Sequence, residues 1–268
     1  MRLLSETEVK DYVFEMLGDF ADYCDKNGLR YYLCGGTLLG AVRHKGFIPW
    51  DDDVDLLMPR PDFDRLHALL KKETIKTYYK LIGYNAKEGY WPFAKLIDLR
   101  TKVDNEFSSA DKHLWIDIFP MDGLPDNVEE SNTVLSFAPS RKVKFVRAFA
   151  KVGKGQSFIR TIGKIPVMIY LRTIGIRKTA KKIDSMARKY PFENSAYVGG
   201  IAWSLGPKER MIREEYTPVT DLEFNGRLFH APACWDKYLK QIYGDYMKLP
   251  PVEQRVNHSN KVFWNEEV

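Results

Sequence analysis

The chain has 268 residues, 44% hydrophobic and 29% charged, enough for one large domain with a sizeable core. Three scattered thiols (Cys24, Cys34, Cys234) exclude a disulfide framework or paired-cysteine zinc site, no apolar run reaches the length of a bilayer span, and the start reads as an amphipathic helix and not a secretion leader, so a cytoplasmic protein is expected. The net charge of +5 is unevenly spread: Arg141 to Lys189 holds 15 Lys or Arg against one acid, Asp184, and the rest is net acidic, which points to a polyanionic partner.

Ser5 to Asn27 is predicted as the first helix. Ser5 and Glu8 make a capping box, Val9, Tyr12, Val13, Met16, Leu17 and Phe20 recur at helical spacing, and Asn27-Gly28 closes it. Arg30 to Cys34 follows as a short strand, then a Gly35-Gly36 break and a short helix from Thr37 to Val42. After the basic turn Arg43-His44-Lys45-Gly46 and Pro49-Trp50, the segment Asp51 to Met58 alternates acidic and apolar residues, as a strand does. Pro59 and Pro61 end it, and Asp62 to Leu70 begins another helix. Tyr90 to Leu99 and Leu114 to Phe119 are two more expected strands, joined by a polar connection from Thr101 to Asp111. Ser131 to Lys189 reads as helical, broken near Gly153-Lys154-Gly155, Gly163 and Pro166. The expected organisation is a single α/β (α+β) domain over 1–268, a small mixed sheet flanked by helices, with a basic amphipathic helical insertion at 131–190.

The chemistry concentrates in the acidic segments. On a strand, Asp51, Asp53 and Asp55 would project to one side and Val54, Leu56 and Met58 to the other. Three carboxylates on one edge repel one another unless a cation neutralises them, and hard oxygen donors suit Mg²⁺ or Mn²⁺. Asp117, between Ile116 and Ile118, is an acid in a buried-looking strand and needs a partner, which a metal shared with Asp53 and Asp55 would supply. Read alone, Asp51 to Asp55 is equally a solvated acidic turn. The preceding Gly35-Gly36-Thr37 tips the balance: a strand, a glycine break and a helix start make a phosphate-binding turn, because glycine permits close backbone approach and the first helical amides face the anion.

The stretch from Gly35-Gly36-Thr37-Leu38-Leu39-Gly40 through Arg43-His44-Lys45-Gly46-Phe47-Ile48-Pro49-Trp50 to Asp51-Asp52-Asp53-Val54-Asp55 resembles the signature of the LicD family, itself similar to fukutin and fukutin-related proteins. The resemblance continues in Phe93-Ala94-Lys95-Leu96-Ile97-Asp98, in Ile116-Asp117-Ile118-Phe119-Pro120-Met121-Asp122-Gly123 and in Tyr243-Gly244-Asp245-Tyr246-Met247-Lys248-Leu249-Pro250-Pro251. It implies a nucleotidyltransferase-like fold with Asp53 and Asp55 as metal ligands and Asp117 as the third carboxylate. It also implies transfer of phosphocholine from CDP-choline, or of another alcohol phosphate from a CDP-alcohol, to a sugar hydroxyl of teichoic acid, lipopolysaccharide or a similar lipid-linked glycan. A true nucleotidyltransferase moving NMP from an NTP is the alternative the same carboxylates permit.

Further assignments follow from that chemistry. Asp117 is expected nearest the acceptor, as ligand and general base; Asp51 either orients His44 or Lys45 or is an exposed turn acid. Arg43, Lys45 and Lys95 are candidates for neutralising the diphosphate, with a strand-edge lysine as the plain alternative for Lys95. His258 is a candidate for helping the acceptor or leaving group, and Trp50 is expected as a core anchor. A choline cage needs aromatic faces, for which Tyr90, Trp91, Trp115 and Trp203 are suspects that could equally be core. Apolar residues interleaved with the basic ones between Val143 and Leu171 suggest a surface lying on an anionic membrane, at its inner face, with a solvated helical subdomain as the alternative. Nucleic acid is not expected, since no recognisable binding motif accompanies the basic segment.

Overall fold

The computed structural model describes residues 1–84, 89–151, 165–255 and 260–265. Its first helix, α1 (Glu6–Asn27), carries the predicted capping box, with the Ser5 side chain accepting from the Glu8 N–H and Glu8 accepting from the Ser5 N–H, and it ends at Gly28 in the left-handed conformation, φ 60°. Before it lies the two-residue β1 (Arg2–Leu3), and after it β2 (Tyr32–Leu33). The glycine pair is not a break: α2 (Gly35–His44) begins on it. Next come β3 (Asp55–Pro59), α3 (Arg60–Leu69), β4 (Tyr79–Ile82), β5 (Ala94–Asp98), β6 (Thr101–Asn105) and β7 (Leu114–Leu124).

Two expectations need correction here. The strand predicted over Asp51 to Met58 starts only at Asp55, so Asp51 and Asp53 precede it in an irregular segment and share no strand face with Asp55. Four acids in five positions repel too strongly to pair in a ladder, and only Asp55, whose N–H is met by the Thr37 hydroxyl at 2.8 Å, enters it. The polar connection from Thr101 to Asp111 contains β6, whose partner is β12 (Asn260–Trp264) at the other end of the sequence.

The central sheet runs β2-β3-β7-β5-β4, with β3 and β7 parallel and the other neighbours antiparallel. The far end of β7 continues into β8 (Tyr197–Gly199) and β9 (Met211–Ile212). Leu56, Met58, Leu96, Ile116 and Ile118 share one core with Val13, Met16, Leu17 and Phe20 of α1, which packs across β7 while α3 covers β3 and β7. The register on the opposite face sets Asp55 beside Asp117 and Asp117 beside Lys95, one row across three strands. A smaller sheet pairs β1 and β6 with β12, and β10 (Val219–Phe224) and β11 (Arg227–Pro232) form a hairpin closed by Asn225-Gly226 at positive φ.

The described parts of the basic segment are largely helical as expected, through α4 (Val128–Phe137), α5 (Lys142–Phe149) and helices over Ile165–Tyr170 and Ile176–Ala187 joined by a π turn, Leu171–Gly175. Pro166 lies within the helix over Ile165–Tyr170 and does not interrupt it. The breaks expected near Gly153 and Gly163 lie outside the described residues. Phe145, Leu171, Ile176, Ala180 and Ile183 form a core whose edge is Tyr90, Trp91 and Trp203, so these helices are built onto the wall of the site described next.

Candidate active site

A cleft of about 380 Å³ opens over the Asp55–Asp117–Lys95 row, and Asp52, Asp53, Asp111, Trp91, Trp115, Trp203, Lys142 and Asn260 are among its walls. Alternation on β7 puts Trp115, Asp117 and Phe119 on the cleft side and buries Leu114, Ile116 and Ile118. The row is anchored from below: the Cys34 N–H donates to the Asp55 carbonyl at 3.1 Å and the Asp117 N–H to the Val54 carbonyl at 2.8 Å.

Lys95 does not snorkel from an edge. Its side chain is 4% exposed, and its ammonium lies 3.0 Å from Asp117 Oδ1 and 3.3 Å from Asp111 Oδ1. Burial opposes its charge, but Asp111 and Asp117 outweigh burial and raise its pKa. Trp115 Nε1 donates to Asp117 Oδ2 at 3.2 Å, whereas Oδ1 is buried and meets Lys95 as an ion pair without hydrogen-bond geometry. Burial pushes the Asp117 carboxyl up to about 6, with Lys95 holding it back. Asp55 is raised well above the usual carboxylate range by burial, then by Asp53, Asp117 and Asp51.

The two glycines have a visible reason. A Cβ on Gly35 would stand 3.1 Å from Asp55 Oδ2, and one on Gly36 would stand 2.7 Å from Asp51 Oδ2. Gly35 also holds φ +53°, which a side chain would strain. The start of α2 thus receives carboxylates, and its positive dipole end steadies them. Both glycines border a second cavity of about 130 Å³ that shares Asp55, Phe119, Trp203 and Leu205 with the main cleft. Thr37 is buried, its hydroxyl held by the Asp55 N–H.

The sequence candidates therefore divide. Asp53, Asp55, Asp117 and Lys95 meet in the cleft, and Gly35 and Gly36 adjoin it. Arg43 and Lys45 sit near the other end of α2, about 12–15 Å along its axis from Gly35, where Arg43 donates to the Tyr246 carbonyl and Lys45 caps the helix at φ 58°. His258 lies outside the described residues. Trp50 packs against the core with the Arg255 guanidinium 4.4 Å from its ring centre. Trp91, Trp115 and Trp203 line the cleft; Tyr90 stacks on Phe149. Sequence reasoning missed Asp111, Lys142 and Glu209. Asp111 and Lys142 carried no local signal, being one acid in a polar loop and one of many lysines; Glu209 follows a Gly-Pro turn that reads as surface.

The donors around Asp55 are all oxygen, carry excess negative charge and include a buried carboxylate oxygen without a hydrogen bond, which fits a hard divalent cation. Among the described residues, no three His, Cys, Asp or Glu side chains converge closely enough to hold a metal as they stand.

A mixed sheet flanked by helices, with acids on adjacent parallel strands beside a helix that starts on two glycines, defines a nucleotidyltransferase-like α+β fold. A family model described as the LicD/FKTN/FKRP nucleotidyltransferase domain matches residues 28–153. Over 261 residues, covering 96% of this chain and 97% of the other, the sequence is 31% identical to the lipopolysaccharide cholinephosphotransferase LicD of Haemophilus influenzae. A stretch of 93 residues, 31% of this chain and 28% of the other, is 33% identical to an uncharacterized protein of Rickettsia typhi. A stretch of 29 residues, 11% of this chain and 6% of the other, is 69% identical to the human ribitol 5-phosphate transferase FKRP. The chain belongs to the LicD family and is a phosphotransferase.

Proposed function

We propose that this enzyme moves phosphocholine from CDP-choline, or a related alcohol phosphate from its CDP ester, to a sugar hydroxyl of a lipid-linked glycan such as a teichoic acid precursor, releasing CMP. The observation that carries the reading is the Asp55–Asp117–Lys95 row facing the cleft. The acceptor oxygen bonds to the distal phosphorus as the bond from that phosphorus to the bridging diphosphate oxygen breaks, and the electron pair leaves on CMP. Asp117, with a carboxyl at about 6, is largely ionised at neutral pH and takes the acceptor's proton. Lys95 and Trp115 fix the direction of that carboxylate, and Lys142 adds positive charge to the wall where the diphosphate enters. Asp53 and Asp55, with Asp117, would hold Mg²⁺ or Mn²⁺, which supplies neutralisation of the diphosphate and of the leaving oxygen.

The test is CMP release from CDP-choline with either cation, with and without acceptor, in the wild type and Asp53→Asn. Acceptor-stimulated release lost in the variant is the expected result. Pyrophosphate from an NTP in its place would establish the nucleotidyl-transfer alternative, and silence with CDP-choline, CDP-ribitol and NTPs would overturn the assignment.

The acceptor's lipid carrier gives the basic helices a role at the inner face of the cell membrane. Val143 and Val146 of α5, and Val167, Ile169, Tyr170 and Ile174 in the helix and turn packed against it, are exposed among Lys144, Arg147, Arg177 and Lys178. No helix of the described residues is long and apolar enough to cross a membrane. Flotation with phosphatidylglycerol vesicles but not phosphatidylcholine vesicles is expected; equal flotation or none counts against this docking.

A further inference from the structure

We infer that the transferred alcohol's cationic head group sits in the second cavity, held by the Glu209 carboxylate and the rings of Tyr238, Tyr243 and Phe119. The inference rests on the transfer reading above and identifies which part of the site selects the donor.

The main cleft is rich in aromatics, but its ring faces already hold the protein's own cations. Lys95 lies 4.1 Å from the ring centre of Trp115, 5.4 Å from Trp91 and 5.7 Å from Phe93, and Lys142 lies 4.7 Å from Trp203. A quaternary ammonium entering there would meet two ammonium groups at close range. The second cavity has the opposite character. Among the described residues, two carboxylates, Asp55 and Glu209, and four aromatic side chains border it, and no Lys, Arg or His does. A quaternary ammonium donates no hydrogen bond and is recognised by ring faces and by negative charge at contact distance, which is what this lining offers.

Glu209 is 6% exposed. Burial pushes its carboxyl up to about 7, with the Leu205 backbone N–H and the charge of Lys142 holding it back. Burial outweighs the charge of Lys142 there, and a cationic ligand at contact distance offsets that cost. The Tyr243 hydroxyl lies in the field of both Asp55 and Glu209. Volume agrees: about 130 Å³ suits one small head group, and the nucleoside has the 380 Å³ cleft. Since Asp55 borders both spaces, a phosphate beside it can have its alcohol in one and its nucleotide in the other.

The experiment is equilibrium binding of phosphocholine and of its neutral isostere 3,3-dimethylbutyl phosphate, by calorimetry with Mg²⁺ present, to wild type, Glu209→Gln and Tyr243→Leu. Wild type should prefer phosphocholine about tenfold. Each variant should bring that ratio close to one and leave affinity for the neutral ligand within about twofold. Tyr243 is 41% exposed, so its variant decides the matter even if Glu209→Gln does not fold. A wild-type ratio near one, a ratio kept in the variants, or equal loss of both ligands overturns the assignment. Turnover is judged separately: a protein that discriminates the two ligands but releases no CMP keeps this subsite and loses the transfer reading.

Discussion

Strand β7 carries two acids five residues apart, and the structure treats them in opposite ways. Asp122 takes two hydrogen bonds from Arg60, at 2.6 and 2.7 Å, and Arg60 continues to Asp184 at 3.0 Å, which also meets Arg188 at 2.8 Å and the Tyr84 hydroxyl at 2.8 Å. Burial opposes the Arg60 charge, yet Asp122 and Asp184 hold it firmly. Around Asp117, by contrast, Asp51, Asp53, Asp55 and Asp111 share the neighbourhood with Lys95. Both clusters are buried, so burial does not distinguish a structural charge from a functional one. The balance of charge among the described residues does: the first pairs its acids with Arg60 and Arg188, and in the second one lysine faces several acids at the edge of a cleft.

The largest test of that contrast is Asp55→Asn, which should lower turnover about a thousandfold, the effect of losing several kcal/mol of charge stabilisation. Its melting temperature should not fall, because the change relieves repulsion. A large drop in stability would mean that the cluster is structural after all. Arg60→Ala should do the reverse, costing about 3–5 kcal/mol in urea unfolding by stranding Asp122 while the folded fraction keeps its turnover.

A smaller effect concerns protons. Asp55 and Asp117 are raised, so in the metal-free protein acid keeps them neutral, and a cation must displace those protons. Mn²⁺ affinity should therefore weaken as pH falls through about 6, by about tenfold per pH unit for each proton displaced, and uptake above that pH should release fewer protons. Calorimetry in two buffers of different ionisation enthalpy measures this, and pH-independent affinity between 5 and 7 would show that the carboxylates do not bind the ion. The smallest expected change is Gly36→Ala. Its methyl must displace Asp51, lowering kcat severalfold with little change in stability, since alanine favours the helix; unchanged kcat would make Asp51 a bystander.

How much of this could be read from the residues depends on how local the cause is. The capping box of α1 and the alternation of β7 are written in neighbouring positions, and they appear where expected. The face shared by Asp51, Asp53 and Asp55 was expected from alternation alone, and repulsion among the acids keeps the first two out of the ladder. Arg43 and Lys45 adjoin the acids in sequence, but α2 carries them away from it. The pairing of β6 with β12 and the arrival of Glu209 beside Gly35 depend on contacts between distant segments, for which no periodicity exists.

The row on β3, β7 and β5 has one more consequence. Asp55, Asp117 and Lys95 are locked to the hydrogen-bond register, and none can shift without moving a whole strand. Asp51, Asp52 and Asp53 lie outside the ladder, in the irregular segment between α2 and β3. The site is thus part anvil and part inset: three of its groups are set by the strands themselves, and the other acids reach it from a segment whose position the ladder does not dictate.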